Sequence, residues 1–274
     1  MKGNFSGERA LFGLKNEKIE DSVFFDGESP LKESENISLK NCIFRWKYPL
    51  WYCKNIKVDG GFLDIGARAG IWYTKNIEVK DTVISAPKTF RRAEDIRLSG
   101  VSMPHAEETL WNCRAVTAEN LTAEGDYFAF GLSDSKFSDF TLTGNYSFDG
   151  AKNITIENSR LISKDAFWNT ENVTVKNSFI SGEYIGWNSV NLTLIDCTVE
   201  SHQGFCYAEN LKMENCRVIN TDLAFEYSTV KASLTGKIES IKNPSGGIIK
   251  AEDIGGIISE PDKIDPDKTK IIKG

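Results

Sequence analysis

The 274-residue sequence contains only two histidines, His105 and His202, and none of its six cysteines is paired in a Cys-x-x-Cys motif. The scarcity of histidine leaves almost no room for nucleophile–histidine triads or histidine-rich metal sites. The cysteine spacing excludes the common zinc and dithiol motifs. The sequence therefore predicts no metal and no other cofactor.

The sequence also lacks a basic cluster and carries a formal net charge of -6, with 33 lysines and arginines against 39 acidic residues. Nucleic-acid phosphates would be repelled over most of such a surface, so a nucleic-acid partner is not expected.

Long apolar runs are missing as well. The N-terminal stretch MKGNFSGERALFGLKNEK is interrupted by Glu8, Arg9 and Lys15, so it has no segment of signal-peptide length, and no later run could span a membrane. The sequence predicts a cytoplasmic protein without a membrane partner. A leader removed from the chain would leave the same pattern.

What the sequence does contain is a repeat, visible in FWNTENVTVKNSFISGEYIGWNSVNLTLIDC, residues 167–197. A position that precedes an apolar-x-apolar triplet, and that is Asn or Asp in every unit but one, recurs every 19 to 21 residues, at Asn36, Asn55, Asn76, Asp95, Ala115, Asp134, Asn153, Asn172, Asn191 and Asn210. A second Asx or Gly follows each triplet and marks a corner, because these residues tolerate left-handed backbone geometry.

Units of this length suit short strands joined by tight corners, with each unit forming one coil. The sequence therefore predicts an all-β fold, a right-handed parallel β-helix of about eleven coils of roughly 19 residues. Residues 1–15 are expected to form an N-terminal cap, residues 16–251 the β-helix, and residues 252–274 a C-terminal cap and tail.

Stacked coils would bring the recurring asparagines into register, where their amides can hydrogen-bond along the coil axis. Some of the same triplets match the N-glycosylation sequon, which is the alternative interpretation. The cysteines share columns with Ser, Thr, Ala and Gly, so they are expected to be small buried thiols.

An aromatic column stands four residues before the repeated polar residue, with members that include Trp51, Trp72, Trp111, Trp168 and Trp187. Strict strand alternation would place this column inside the coil if Cys53 and its equivalents lie inside. Arg91 and Asp149 in the same column favour an outward orientation, because unpaired buried charges are costly. The sequence leaves both orientations open.

A lateral face rich in rings and carboxylates is expected under either orientation. Such a face is typical of sugar binding, because rings stack on C–H groups while acids and amides bind hydroxyls. The predicted ligand-binding residues are Trp72, Arg91, Trp111, Asp149, Asp165, Phe167, Trp168, Tyr184, Trp187, Tyr207 and Glu226.

Glu183 and Asp222 lie two coils apart at similar register, with His202 between them. Two carboxylates that close on one bond could hydrolyse a glycoside, so these three residues are the candidate catalytic group. A solvated row of polar residues is the alternative interpretation.

The coil length, asparagine ladders and stacked aromatics resemble the pectin-lyase-like superfamily. The segments FDGESPLKES, RWKYPLWYC, AGIWYT, AFWNTENV and EYIGWNS look more specifically like a bacterial family of unknown function with that fold. The resemblance implies a parallel β-helix and brings no known activity. Asn220-Thr221-Asp222 matches the first polygalacturonase motif, but the remaining motifs are missing.

The sequence thus predicts a protein that binds an oligosaccharide or similar polyhydroxylated ligand, with glycoside hydrolase-like or polysaccharide lyase-like activity as an open question. The alternative is a non-catalytic scaffold whose aromatic face binds another protein or a second copy of the chain.

Overall fold

The computed structural model describes all 274 residues, Met1 to Gly274. It confirms the predicted fold class, since the chain is almost entirely β and winds as a parallel β-solenoid with about 14 turns of about 19 residues. The structure has more turns than the eleven or so that the sequence predicts, in part because residues 1–15 hydrogen-bond to the following turn. Their backbone N–H groups bond to carbonyls 19 residues further on, as Gly7 does to Asp26 and Leu11 to Pro30.

The chain divides into two compact units, Met1–Thr141 and Leu142–Gly274. The first unit contains a short 3-10 helix, Ile65–Ala67, and begins the twelfth strand, in which the boundary falls. The strands of this part are β1 Asn4–Phe5, β2 Lys18–Glu20, β3 Val23–Phe24, β4 Glu35–Phe44, β5 Lys54–Leu63, β6 Ile71–Trp72, β7 Lys75–Lys80, β8 Val83–Ile84, β9 Phe90–Arg91, β10 Glu94–Met103, β11 Arg114–Glu124 and β12 Ser133–Thr143.

The second unit ends with another 3-10 helix, Pro266–Lys268, and a last strand. Its strands after β12 are β13 Lys152–Glu157, β14 Arg160–Ile162, β15 Glu171–Lys176, β16 Phe179–Gly182, β17 Thr193–Ile195, β18 Thr198–His202, β19 Leu211–Asp222, β20 Thr229–Lys242, β21 Gly246–Ile258 and the last strand, β22 Thr269–Lys273. β22 pairs with the first half of β21. No helix of the structure has the length and apolar character needed to cross a membrane.

Strand pairing is parallel and brings equivalent positions of successive turns together. Ile37 pairs with Ile56 and Ile56 with Ile77, while Ile154 pairs with Val173. The alternating apolar positions that predicted these strands point inward and are fully buried. Burial of these side chains supplies the main stabilising free energy of each turn.

The asparagine ladder is confirmed. The amide of Asn55 donates to Asn36 at 2.7 Å, and that of Asn76 donates to Asn55 at 2.8 Å. In the second unit, Asn191 donates to Asn172 at 2.8 Å. Each of these residues has a positive φ, a conformation that asparagine tolerates better than other non-glycine residues.

The six cysteines are buried and unpaired, as the column analysis predicted. Burial raises the pKa of the Cys53 and Cys113 thiols to about 12, so both stay protonated at neutral pH. These two thiols act as small apolar fillers of the core.

Candidate functional site

The side chains of the aromatic column point outward because of the residue that follows each of them in the sequence. Tyr52 and Asn188, for example, have φ values of 57° and 55° and form a corner. A left-handed residue breaks strand alternation, so the corner residue and the one before it both point outward. Trp51 is therefore half-buried on the outer side, although Leu50 and Cys53 on either side of the pair are in the core.

Strict alternation fails here, and one predicted ligand-binding residue is misplaced as a result. Phe167 was assigned to the exposed face, but its side chain is fully buried, as are Phe90, Phe148 and Phe205 in the same column. These rings fill the interior next to the corner and cannot contact a ligand.

In the first unit the aromatic column forms a closed stack. Trp51 and Trp72 lie parallel at 5.0 Å between ring centroids. The Arg91 guanidinium carbon lies 4.7 Å from the Trp72 ring centroid and 4.5 Å from that of Trp111. Cation–π contact on both sides, with an ion pair to Glu108 at 3.1 Å, explains how a charge is tolerated in this column.

The ring edges of this stack are also occupied. The indole N–H groups of Trp72 and Trp111 donate to the carbonyls of Lys88 and Tyr127 at 2.8 and 2.7 Å. The ring faces and the indole N–H groups are satisfied within the protein, and the Arg91 Nε atom, which has no hydrogen-bond partner, is buried. Trp72, Arg91 and Trp111 therefore form a structural stack, whose ring faces and indole donors offer no free group for the ligand-binding role predicted for them.

The equivalent column of the second unit is open. Trp168 and Trp187 are 5.9 Å apart with a tilt of 36°, and Trp187 and Tyr207 are 5.2 Å apart with a tilt of 48°. The tilt leaves part of each ring face uncovered. A depression of about 490 Å³, open to solvent, is lined by Trp168, Asn169, Trp187, Asn188 and Tyr207.

An unpaired donor lies in this depression. The Trp168 indole N–H donates to the Tyr184 carbonyl at 2.7 Å, as its equivalents do in the first unit. The carbonyl in the equivalent position for Trp187 is that of Gln203, and it accepts the Cys206 thiol at 3.3 Å instead. The Trp187 N–H makes no hydrogen bond within the protein.

An unpaired acceptor lies beside it. The Asn169 amide donates to the Asp149 carboxylate at 2.8 Å, and the Asn188 amide donates to the Asn169 oxygen at 2.9 Å. The next residue of this column is Tyr207, which does not continue the chain of amides. The Asn188 side-chain oxygen therefore makes no hydrogen bond, and the Asp149 charge at the far end polarises it towards donors.

A row of charged side chains lies on the turns that carry the depression. Lys164 pairs with Glu183 at 3.2 Å, and the His202 ring nitrogen Nδ1 lies 2.7 Å from the Asp222 carboxylate. Hydrogen bonds from Lys164 and from Tyr184 lower the pKa of Glu183. The three predicted catalytic residues thus lie on successive turns, with His202 bonded to Asp222 and Glu183 paired elsewhere.

Asp165 and Glu226 are the buried acids of this region. Asp165 is 2% exposed, and its Oδ2 atom has no hydrogen-bond partner. Burial raises its pKa. Glu226 is 7% exposed and is paired with Lys242 at 2.8 Å and with Gln203 at 3.2 Å. Neither carboxylate lines the depression.

Of the predicted ligand-binding residues, Trp168, Trp187 and Tyr207 line the depression. The Tyr184 ring packs edge-on against the Trp187 ring, with 6.0 Å between ring centroids. Asp149 accepts a hydrogen bond from the Asn169 amide and does not itself line the depression. Sequence reasoning missed Asn169 and Asn188, although both stand in the column that flanks the tryptophans. No group of three or more His, Cys, Asp or Glu side chains could hold a metal ion.

These features define an all-β parallel β-solenoid protein that carries stacked aromatic side chains on the outside of its coils. The chain belongs to the family described as protein of unknown function (DUF3737), whose model matches residues 1–272. This confirms the resemblance to a family of unknown function.

Five solved chains match the fold. One is HetL from the cyanobacterium Nostoc, a pentapeptide repeat protein involved in heterocyst differentiation regulation, with 11% identity, 92% of this chain and 88% of that chain covered, and a TM-score of 0.23. Another is PfbA, a surface adhesin of Streptococcus pneumoniae, with 10% identity, coverage of 95% and 71%, and a TM-score of 0.22. At such scores, function has to be argued from the chain's own residues. Curated proteins gave no match.

Proposed function

We propose that the protein binds a neutral oligosaccharide, or a similar polyhydroxylated ligand, in the depression formed by Trp168, Trp187 and Tyr207. The observation that carries the proposal is the free donor on Trp187 next to the free acceptor on Asn188. A sugar hydroxyl both donates and accepts, so it can satisfy both groups. The C–H groups of the sugar ring then cover the exposed ring faces.

The charge around the depression favours a neutral ligand, or an amino sugar, over a uronic acid. Asp149 polarises the Asn188 oxygen through Asn169. A ligand carboxylate in the depression would face this oxygen, whereas a hydroxyl or ammonium group would donate to it.

The arrangement supports binding rather than hydrolysis. A glycoside hydrolase needs one carboxyl with a raised pKa as its general acid, but the pKa of Glu183 is lowered and Asp222 is held by His202. The pectin-lyase-like enzymes that the sequence resembles cut acidic polysaccharides, whereas the depression favours a neutral ligand. Their paired acids are not reproduced in the row from Lys164 to Asp222.

We infer a reducing compartment such as the cytoplasm, because all six cysteines are unpaired thiols.

Calorimetric titration with cellotetraose, chitotetraose and tetragalacturonic acid tests the proposal. We expect binding of at least one neutral tetrasaccharide and weaker binding of the uronide. Trp187→Phe keeps a ring but loses the N–H donor, so affinity should fall about 2- to 10-fold, which corresponds to one hydrogen bond. Trp72→Phe in the closed stack is the matched control and should leave affinity unchanged.

Two outcomes would contradict the proposal. One is the absence of heat with all three tetrasaccharides. The other is an equal effect of the Trp72 and Trp187 variants on binding. A concentration-dependent dimer that Tyr207→Ala abolishes would instead assign the exposed rings to contact between copies of the chain.

A further inference from the structure

Cys197 and Cys216 occupy the same position in two successive turns. They precede Thr198 and Arg217, which pair directly between β18 and β19, and the Arg217 N–H donates to the Cys197 carbonyl at 2.8 Å. Parallel neighbours of this kind have Cα atoms about 4.8 Å apart, inside the range of about 4.4–6.8 Å that a disulfide spans. The two thiols also have equivalent surroundings, since Cys197 donates to the Val175 and Ile195 carbonyls at 3.4 and 3.3 Å and Cys216 to the Leu194 and Glu214 carbonyls at 3.4 and 3.5 Å.

No other cysteine of the chain has such a neighbour. Cys42 lies in the same column, but its partner in the next turn is Gly61. Cys53 and Cys113 share a column and are separated by two intervening turns, which contribute Thr74 and Ala93. The geometry therefore selects one pair out of six thiols.

We propose that Cys197 and Cys216 form a reversible disulfide between adjacent turns, with a small-molecule disulfide such as oxidised glutathione as the oxidant. The Cys197 thiolate attacks one sulfur of the oxidant and releases one glutathione thiolate, giving a mixed disulfide. Cys216, after losing its proton, attacks the Cys197 sulfur and releases the second glutathione. The protein loses two protons and two electrons, and the oxidant gains them.

The two thiols make equivalent hydrogen bonds, so either can attack the oxidant first, and the reaction that starts from Cys216 mirrors the one written from Cys197. The attacking thiol must lose its proton first, because the thiolate is the reactive form. Both side chains are at most 1% exposed, so reaction in the folded state requires a local opening of the turns.

The new bond would join the turns that present the binding depression. The turn that ends at Cys197 carries Trp187 and Asn188, and the turn that ends at Cys216 carries Tyr207. Oxidation would fix the distance between these turns without consuming any group that lines the depression. The prediction of a disulfide does not depend on any ligand.

Peptide mapping tests the proposal on the full chain. In one arm the native protein is incubated with oxidised glutathione. In a second arm the reduced, unfolded chain is refolded in a glutathione redox buffer, so that the oxidant can reach both thiols before they are buried. Remaining thiols are alkylated under denaturing conditions before tryptic digestion without reductant. The expected product joins residues 177–212, alkylated at Cys206, to residues 213–217, and is two hydrogens lighter than the sum of the peptide alkylated only at Cys206 and the unalkylated second peptide.

Peptide 177–212 also contains Cys206, so variants decide which cysteine is joined. Cys206→Ser should keep the cross-link, and Cys197→Ser should abolish it. The proposal is overturned if both thiols are recovered alkylated in both arms, or if the cross-link persists in Cys197→Ser.

Discussion

Asn172→Ala removes one rung from the middle of the asparagine ladder. The Asn172 amide donates to the Asn153 oxygen at 3.1 Å and accepts from the Asn191 amide at 2.8 Å. The backbone of Asn172 has a φ of 57°, and its N–H bonds to the Val190 carbonyl. The substitution therefore deletes two side-chain hydrogen bonds and places alanine in a left-handed conformation, while the backbone bond can persist.

The expected loss of stability follows from these two effects. Each exposed amide hydrogen bond contributes about 0.5–1 kcal/mol. Alanine in a left-handed conformation costs about 1 kcal/mol more than asparagine. Asn172→Ala should therefore lower the free energy of unfolding by about 2–3 kcal/mol. Asn172→Gly loses the same bonds without the backbone strain, so about 1–2 kcal/mol is expected for that variant.

Urea unfolding followed by tryptophan fluorescence measures this difference, because Trp168 lies in the same turn as Asn172 and Trp187 in the next turn. Circular dichroism is needed as a second probe, since solenoids can unfold in more than one step. A loss below about 0.5 kcal/mol for Asn172→Ala would refute the ladder as a stabilising element. A glycine variant as unstable as the alanine variant would refute the contribution of backbone strain.

Two further substitutions test the same reasoning elsewhere. Ala115 occupies a ladder position at a φ of 57° between Asp95 and Asp134, beside a depression of about 280 Å³. Ala115→Asn should therefore raise the free energy of unfolding by about 1 kcal/mol and with it the melting temperature. An unchanged melting temperature would contradict this. Asp165→Asn should stabilise the protein at neutral pH, because a raised pKa means that ionised Asp165 opposes folding above its unfolded pKa. The gain in the free energy of unfolding should shrink as the pH falls towards the usual aspartate pKa. A gain that is independent of pH would contradict a raised pKa of Asp165.

The repeat could be predicted from sequence because each turn uses the same two physical devices. Inward apolar residues alternate along the strand, and Asx or Gly residues form the corners. Ile154 and Val173 are one register pair of this kind, and Asn158 and Asn177 are stacked corner residues joined by an amide hydrogen bond at 2.7 Å. Both patterns depend only on spacing, and they survive substitution at a single turn, such as Ala115.

The direction of the aromatic column could not be predicted in the same way. The residue type of Tyr52 and Tyr207 does not predict a left-handed backbone, since asparagine and glycine are the residues usually found in that conformation. Because the sequence leaves the orientation of the column open, it predicts ligand-binding residues from both alternating positions, which include the buried Phe167 and omit the exposed Asn188. Only the backbone torsion shows that two successive side chains point outward.

The proposed ligand site lies where the repeat is interrupted, not where it is regular. A regular stack satisfies its own ring faces and indole N–H groups, as the sandwich of Trp72, Arg91 and Trp111 does. In the second unit, Cys206 occupies the aromatic column and donates to the Gln203 carbonyl, and the Trp187 N–H makes no hydrogen bond within the protein. Tyr207 ends the amide chain one residue further on, which leaves the Asn188 oxygen free. Two single-residue departures from the repeat thus expose one donor and one acceptor at the same aromatic surface.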